Sequence, residues 1–216
     1  MMARNVEELL QTLRTSSPLS LDGSTATLVQ QIVSDGVAEW VSVTPSPTAV
    51  MHECFYNVRS HIEKHGGALI YGWAVWEWPD VFVEAEHHAV WELDGKLIDV
   101  TPHEAGIERV AFLRDPSATF DWSHSSSREN VRMPISKSEA VQEYLDTARA
   151  QRAWMAENSN GREMTLDPRQ AAAFFHKSRS LKLEIFAELA AKCGRNQPCI
   201  CGSGEKFKKC CAQIFA

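Results

Sequence analysis

The chain has 216 residues, 44% of them hydrophobic and seven of them Trp, enough for one packed core and an appendage. Its longest apolar run, Ala68 to Val75, is interrupted by Gly72 and falls far short of the roughly 20 residues a bilayer span requires, so no membrane segment is expected. A net charge of -6 argues against a general nucleic-acid binder, whose footprint is basic.

From the amino end, Asn5 to Arg14 and Ser24 to Ser34 carry apolar residues at helical spacing, the second stretch ended by Gly36. Glu39 to Thr44 alternates as a strand until Pro45 and Pro47 stop it. His52 to His65 places Cys54, Val58, His61 and Ile62 on one helical face, and Gly66-Gly67 closes it. Three strands rich in Val, Ile, Trp and Tyr follow: Ala68 to Trp78, Val81 to Leu93 and Lys96 to Thr101. Pro79-Asp80 joins the first two, and Asp94-Gly95 is a two-residue hairpin turn. Pro102 to Pro134 has no period apart from a short strand at Val110 to Leu113, and reads as an extended loop region. Ser136-x-x-Glu139 reads as a capping box opening a helix to about Glu157. Asp167-Pro168 opens another that reaches Lys192 and ends at Gly194.

The tail reads Cys199-x-Cys201-x8-Cys210-Cys211, with Gly202 and Gly204 available for a tight turn. Thiols so spaced can return four sulfurs to about 2.3 Å from one ion, so Zn2+ is the expected cofactor and Cys199, Cys201, Cys210 and Cys211 its ligands. So short a segment buries little apolar surface, and ligation would supply most of its folding free energy. Two disulfides or free thiols are the other readings; nothing at the amino terminus looks exported, which favours a cytoplasmic chain and disfavours disulfides. Cys193 stands outside the spacing and reads as a bystander. Arg195, Lys206, Lys208 and Lys209 against Glu205 make the tail locally basic, which suits an acidic protein surface or ribosomal RNA as readily as a merely solvated face.

Gly194 to Cys211 closely resembles the SEC-C motif, the zinc module at the carboxyl end of the translocase ATPase SecA: G-R-N-x-P-C-x-C-G-S-G-x-K-[FY]-K-x-C matches almost letter for letter. In that family the last ligand is His or Cys, and Cys211 takes the second form. The resemblance implies contact with a protein partner or the ribosome, since the translocase tail binds the chaperone SecB and ribosomes.

A second constellation lies in the hairpin. With Asp94-Gly95 as the turn, Leu93 faces Lys96, Val90 faces Asp99 and His88 faces Thr101, so His88 and Asp99 share a face on adjacent strands. His87 points to the other face with Ala89, Trp91, Ile98 and Val100, and a one-residue change of turn would exchange the two histidines. Cys54 stands at the amino end of the preceding helix, where unpaired N–H groups favour a thiolate. Together these supply a nucleophile, a base and an orienter. Each residue also has a plainer reading: Cys54 as an inert buried thiol, His87-His88 as an exposed pair or, with His52, a second metal site, and Asp99 as a turn acceptor. Glu84 and Glu86 share the face of His88 and line a cleft or meet water, while Asn57 serves an oxyanion site or a cap.

The order Cys, His on a strand, Asp on the next strand resembles the transglutaminase-like branch of the papain-like cysteine hydrolase superfamily. His88-Ala89-Val90-Trp91 followed by Asp99-Val100-Thr101-Pro102 is similar to its H-x-W...D-x-T signature, with the Trp one place later and the usual Gly and Trp around the nucleophile absent. The resemblance implies Cys54 as nucleophile, His88 as general base and Asp99 as orienter of acyl transfer through a thioester.

The expected fold is therefore α+β: an antiparallel sheet with a Cys-bearing helix over residues 1-135, two helices over 136-193 and a zinc knot over 194-216. The expected functions are a zinc-tailed cysteine acyl-transfer enzyme, a non-catalytic protein- or ribosome-binding adaptor, or a plain metal-binding protein. No nucleotide loop, dinucleotide fingerprint or H-E-x-x-H is present, which excludes those classes.

Overall fold

A computed structural model of the chain describes Val6, Leu10 and residues 15–104, 107–160, 163–201, 203 and 205–214. Apart from Val6 and Leu10, the expected first helix lies outside these residues, as do Gly202 and Gly204. The described chain divides into two units, one formed by residues 15–135 and the other by 136–159 with those from 163 onward. No described helix is long and apolar enough to cross a membrane.

The first unit is built on strands β1 (Glu39–Val43), β2 (Ala68–Trp78), β3 (Phe82–Leu93), β4 (Lys96–Asp99), β5 (Arg109–Arg114) and β6 (Val131–Pro134). They run in the order β2-β5-β1-β4-β3-β6, and β2 also pairs with β3, so five of them close into a barrel with β6 on the far end of β3. The expectation of an antiparallel sheet is corrected at one seam: β1 and β4 pair in parallel, Ser42 with Ile98 and Val43 with Asp99. The chain between them contains a helix and the β2–β3 hairpin, a connection long enough to return in the same direction.

Asp94 and Gly95 both adopt positive φ, 52° and 77°, the backbone that a two-residue hairpin turn needs. Leu93 consequently pairs with Lys96, and Trp91 with Ile98. At Gly72 a Cβ would sit 2.0 Å from the Leu113 carbonyl oxygen, so only glycine lets β2 and β5 close there.

All five barrel strands turn side chains inward, where Val41, Ala74, Trp76, Val90, Leu97, Val110 and Phe112 form one cluster. Helix α1 (Ser24–Ile32) covers part of the outside, setting Leu28 and Val29 against Trp73, Val75, Val83 and Leu113. Helix α2 (Cys54–His65) covers another part, with Phe55 and Val58 against Ala89, Val100 and Phe120. Helix α2 begins at Cys54 and not at His52, whose φ of 66° is incompatible with a right-handed helix.

The region 102–134 is more ordered than its composition suggests. Strand β5 is central, with Val110 to Leu113 buried on both faces, and such a strand shows a continuous apolar run with no alternation. Strand β6 carries no strand signal in its letters, because its four residues are partly exposed and end in Pro134.

In the second unit, helices α3 (Glu139–Glu157) and α4 (Pro168–Lys192) pack together, with the Trp154 and Phe174 rings 5.5 Å apart. Ser138, not Ser136, caps α3 by accepting the Val141 N–H; Asp167 caps α4 through the Arg169 N–H.

Candidate functional site

Beyond α4 the chain turns at Gly194 to Gln197 and forms a miniature hairpin, in which the Cys199 N–H bonds the Glu205 carbonyl and the Phe207 N–H bonds the Gln197 carbonyl. Two short 3-10 turns, Phe207–Lys209 and Cys211–Ile214, fold back over it. These bring Cys199, Cys201, Cys210 and Cys211 together with all four sulfurs within 4.8 Å of one another. The Cys201 and Cys210 sulfurs are 3.6 Å apart, and those of Cys210 and Cys211 3.8 Å. A tetrahedral thiolate site with arms of about 2.3 Å has edges of about 3.8 Å, so the donor set fits a single ion, and the sulfurs are too far apart to be disulfide-bonded.

Electrostatics point the same way. Burial opposes ionisation of Cys201, but the Ser203 hydroxyl and the neighbouring thiols outweigh it and bring its pKa down to about 7. Burial and the other thiols push Cys211 far up. Four thiols crowded in this way do not all ionise unless a cation shares the space. Cys193 stays apart, its sulfur directed at the Gly194 and Pro198 carbonyls. Arg195, Lys206, Lys208 and Lys209 are exposed around the knot.

The barrel holds the second constellation. His88 and Asp99 both face the interior, and the His88 Nε2–H donates to Asp99 Oδ2 at 2.8 Å. Both are buried, at 3% and 0% exposure. The Cys54 thiol, at the first residue of α2, is near enough to the same imidazole to act on its charge. With Nε2 taken by Asp99, Nδ1 is the ring nitrogen left for another partner. Burial works against the charged imidazole, but Asp99 and then Cys54 outweigh it and lift the His88 pKa well above the ordinary value. Burial likewise opposes the Asp99 carboxylate, yet His88 and His103 hold its pKa well below the usual range.

His87 lies on the other face, with Nε2 2.6 Å from the Ala118 carbonyl and Nδ1 accepting the Arg128 N–H at 2.8 Å. Both ring nitrogens thus brace the loop between β5 and β6. Asn57 is also committed: its carbonyl accepts the Val50 N–H, and its amide donates to the Val50 carbonyl and to Thr101 Oγ1. That leaves it no donor for an oxyanion. Glu86 accepts the Trp76 indole N–H and Glu84 pairs with Arg132, so neither is simply solvated. His52 is exposed and joins neither group of potential metal donors found among the described residues.

Sequence reasoning missed His103. Its Nε2–H donates to Asp99 Oδ2 at 2.7 Å, four residues along the chain, from a segment without readable periodicity. His88, Asp99 and His103 offer three donor atoms within 4.8 Å, but both imidazoles aim at one carboxylate oxygen, which occupies the point an ion would take. Strand β6 pairs with Phe82 to Ala85 and β4 with Trp91 to Leu93, so Glu86 to Val90 have no ladder partner on that edge of β3 among the described residues.

The family model described as SEC-C motif matches residues 195–213. A protein translocase subunit SecA from Phocaeicola vulgatus is 37% identical over 83 residues, 38% of this chain and 7% of that protein. A UPF0225 protein from Vibrio vulnificus is 85% identical over 20 residues, 9% of this chain and 12% of that protein. SecA from Dichelobacter nodosus is 64% identical over 25 residues, 12% of this chain and 3% of that protein. The chain spans no more than 12% of the length of these relatives. No solved structure matches. Neither the motif match nor these relatives carries the transglutaminase-like resemblance.

Proposed function

We propose that this chain is a zinc-binding SEC-C protein whose body, residues 1-135, is a cytoplasmic cysteine-dependent acyl-transfer enzyme of transglutaminase-like type. Residues 136-193 are its helical segment, and the knot at 194-216 docks it to a partner. Zinc is the metal that suits four thiolates at tetrahedral spacing, held by Cys199, Cys201, Cys210 and Cys211. When bound, the ion holds the knot folded. The exposed Arg195, Lys206, Lys208 and Lys209 suit an acidic protein surface or the ribosome.

One observation carries the enzymatic reading: Cys54, His88 and Asp99 form a buried set in which His88 bonds Asp99 and both Asp99 and Cys54 favour the charged imidazole. In the proposed reaction the Cys54 thiolate attacks an amide carbonyl and His88 gives its proton to the departing amine, leaving a thioester on Cys54. Water or a second amine, deprotonated by His88, then attacks the thioester and restores the thiolate. Asp99 holds the His88 tautomer throughout. No side chain caps α2, so the partial positive charge of its amino end is left to favour negative charge at Cys54.

Alkylation of Cys54 by iodoacetamide tests this in a Cys193→Ser background, read by peptide mapping. Labelling that slows at least tenfold in His88→Ala is the expected result; a Cys54 that labels only after denaturation would refute the enzymatic reading. The adaptor alternative draws on the 6% exposure of Cys54 among apolar neighbours, which also suits a core thiol.

A further inference from the structure

His103 is placed more specifically than its loop position leads one to expect. It is 12% exposed, and its ring centroid lies 5.3 Å from that of Trp76 and 5.7 Å from that of His88. One oxygen of Asp99 receives two imidazoles, while the other accepts the Thr101 N–H at 2.9 Å. Orienting His88 requires only one of these bonds. The second imidazole needs a reason of its own.

We propose that His103 is a positioning residue that balances the charge of the reactive state, carrying the second positive charge that lets a Cys54 thiolate and a His88 imidazolium coexist with a buried Asp99 carboxylate. The proposal rests on the reading of Cys54 as nucleophile. With Cys54 and Asp99 negative and only His88 positive, the buried set bears one net negative charge. An imidazolium at His103 brings that sum to zero, and uncompensated charge is what a low-dielectric interior resists most. The groups that face His103 are Asp99 from β4 and His88 from β3, and Cys54 of α2 acts in turn on His88. Glu86 stands beyond Trp76, its carboxylate engaged by the indole N–H. His103 donates to Asp99 from a mostly buried position, and a charge there is what would separate it from a neutral donor in the same place.

The experiment compares His103→Gln and His103→Ala with the parent in the Cys193→Ser background, following Cys54 alkylation by iodoacetamide as a function of pH. Gln can keep an N–H donor near Asp99 but cannot carry charge. Expected is a fall of about tenfold in rate at neutral pH in both variants, with the pH–rate profile displaced to higher pH in H103Q although its thermal unfolding stays close to the parent. A parental profile in H103Q overturns the proposal, whatever H103A does, because the bond alone would then suffice. If His88→Ala also alkylates like the parent, the nucleophile reading itself has failed; if His88→Ala is slow and H103Q is not, only the charge-balancing role has.

Discussion

Asp99 receives two imidazoles on one oxygen, His88 at 2.8 Å and His103 at 2.7 Å, with no exposure to solvent. Asp99→Asn leaves both rings facing an amide that cannot neutralise either. Breaking a buried pair of this kind costs about 3 kcal/mol, so D99N is expected to unfold at distinctly lower denaturant concentration and to alkylate slowly at Cys54. Equal denaturation midpoints for variant and parent would count against this.

The same pair sets a pH window. The Asp99 pKa is depressed from its ordinary 3.8, so its contribution is present above that value and is lost as pH falls through the lower folded value. The His88 pKa is raised from 6.5, so its contribution is complete below 6.5 and is lost as pH rises through the higher folded value. Stability from this cluster is therefore greatest between about pH 4 and 6.5. Thermal unfolding across that range should show a maximum that flattens in D99N.

For the knot, elemental analysis of the purified chain should find one zinc per molecule. Cys210→Ser should lose it, and the dispersed amide resonances of Cys199 to Ile214 should collapse with it. Cys193→Ser should keep both, because that sulfur points away from the quartet.

Charge reversal at Lys206, Lys208 and Lys209 tests docking separately from folding. The triple Glu variant should retain zinc yet lose salt-sensitive binding to an acidic partner or the ribosome. Undiminished capture of ribosomes or of an acidic partner would remove the basic surface from the account.

Gly72→Ala probes the barrel. The added methyl meets the Leu113 carbonyl oxygen and the Phe112 ring, so β2 and β5 must part, at a cost of about 3 kcal/mol. Urea denaturation reads the loss directly.

The tail was legible because metal ligation imposes spacing that survives in the letters: each Cys in the quartet was named from sequence, and the motif match spans them. The hairpin was equally legible, since Asp94-Gly95 admits one turn and that turn fixes the register. What the letters hid were features decided by distant partners. The parallel seam between β1 and β4 depends on barrel closure, which no local pattern encodes. Strand β6 exists because β3 is long enough to offer it an edge. His103 and Asn57 take their roles from what folds against them: a carboxylate in one case, a loop backbone in the other.

The parallel seam has a consequence for assembly. His88 and Asp99 meet within the local β3–β4 hairpin, which the seam with β1 then fixes into the ring, while Cys54 reaches them from α2, packed against Ala89 and Val100. Until α2 docks, the sulfur lacks its activating neighbours, so thiol reactivity during refolding should lag behind formation of the hairpin, making the protein its own clock for that step.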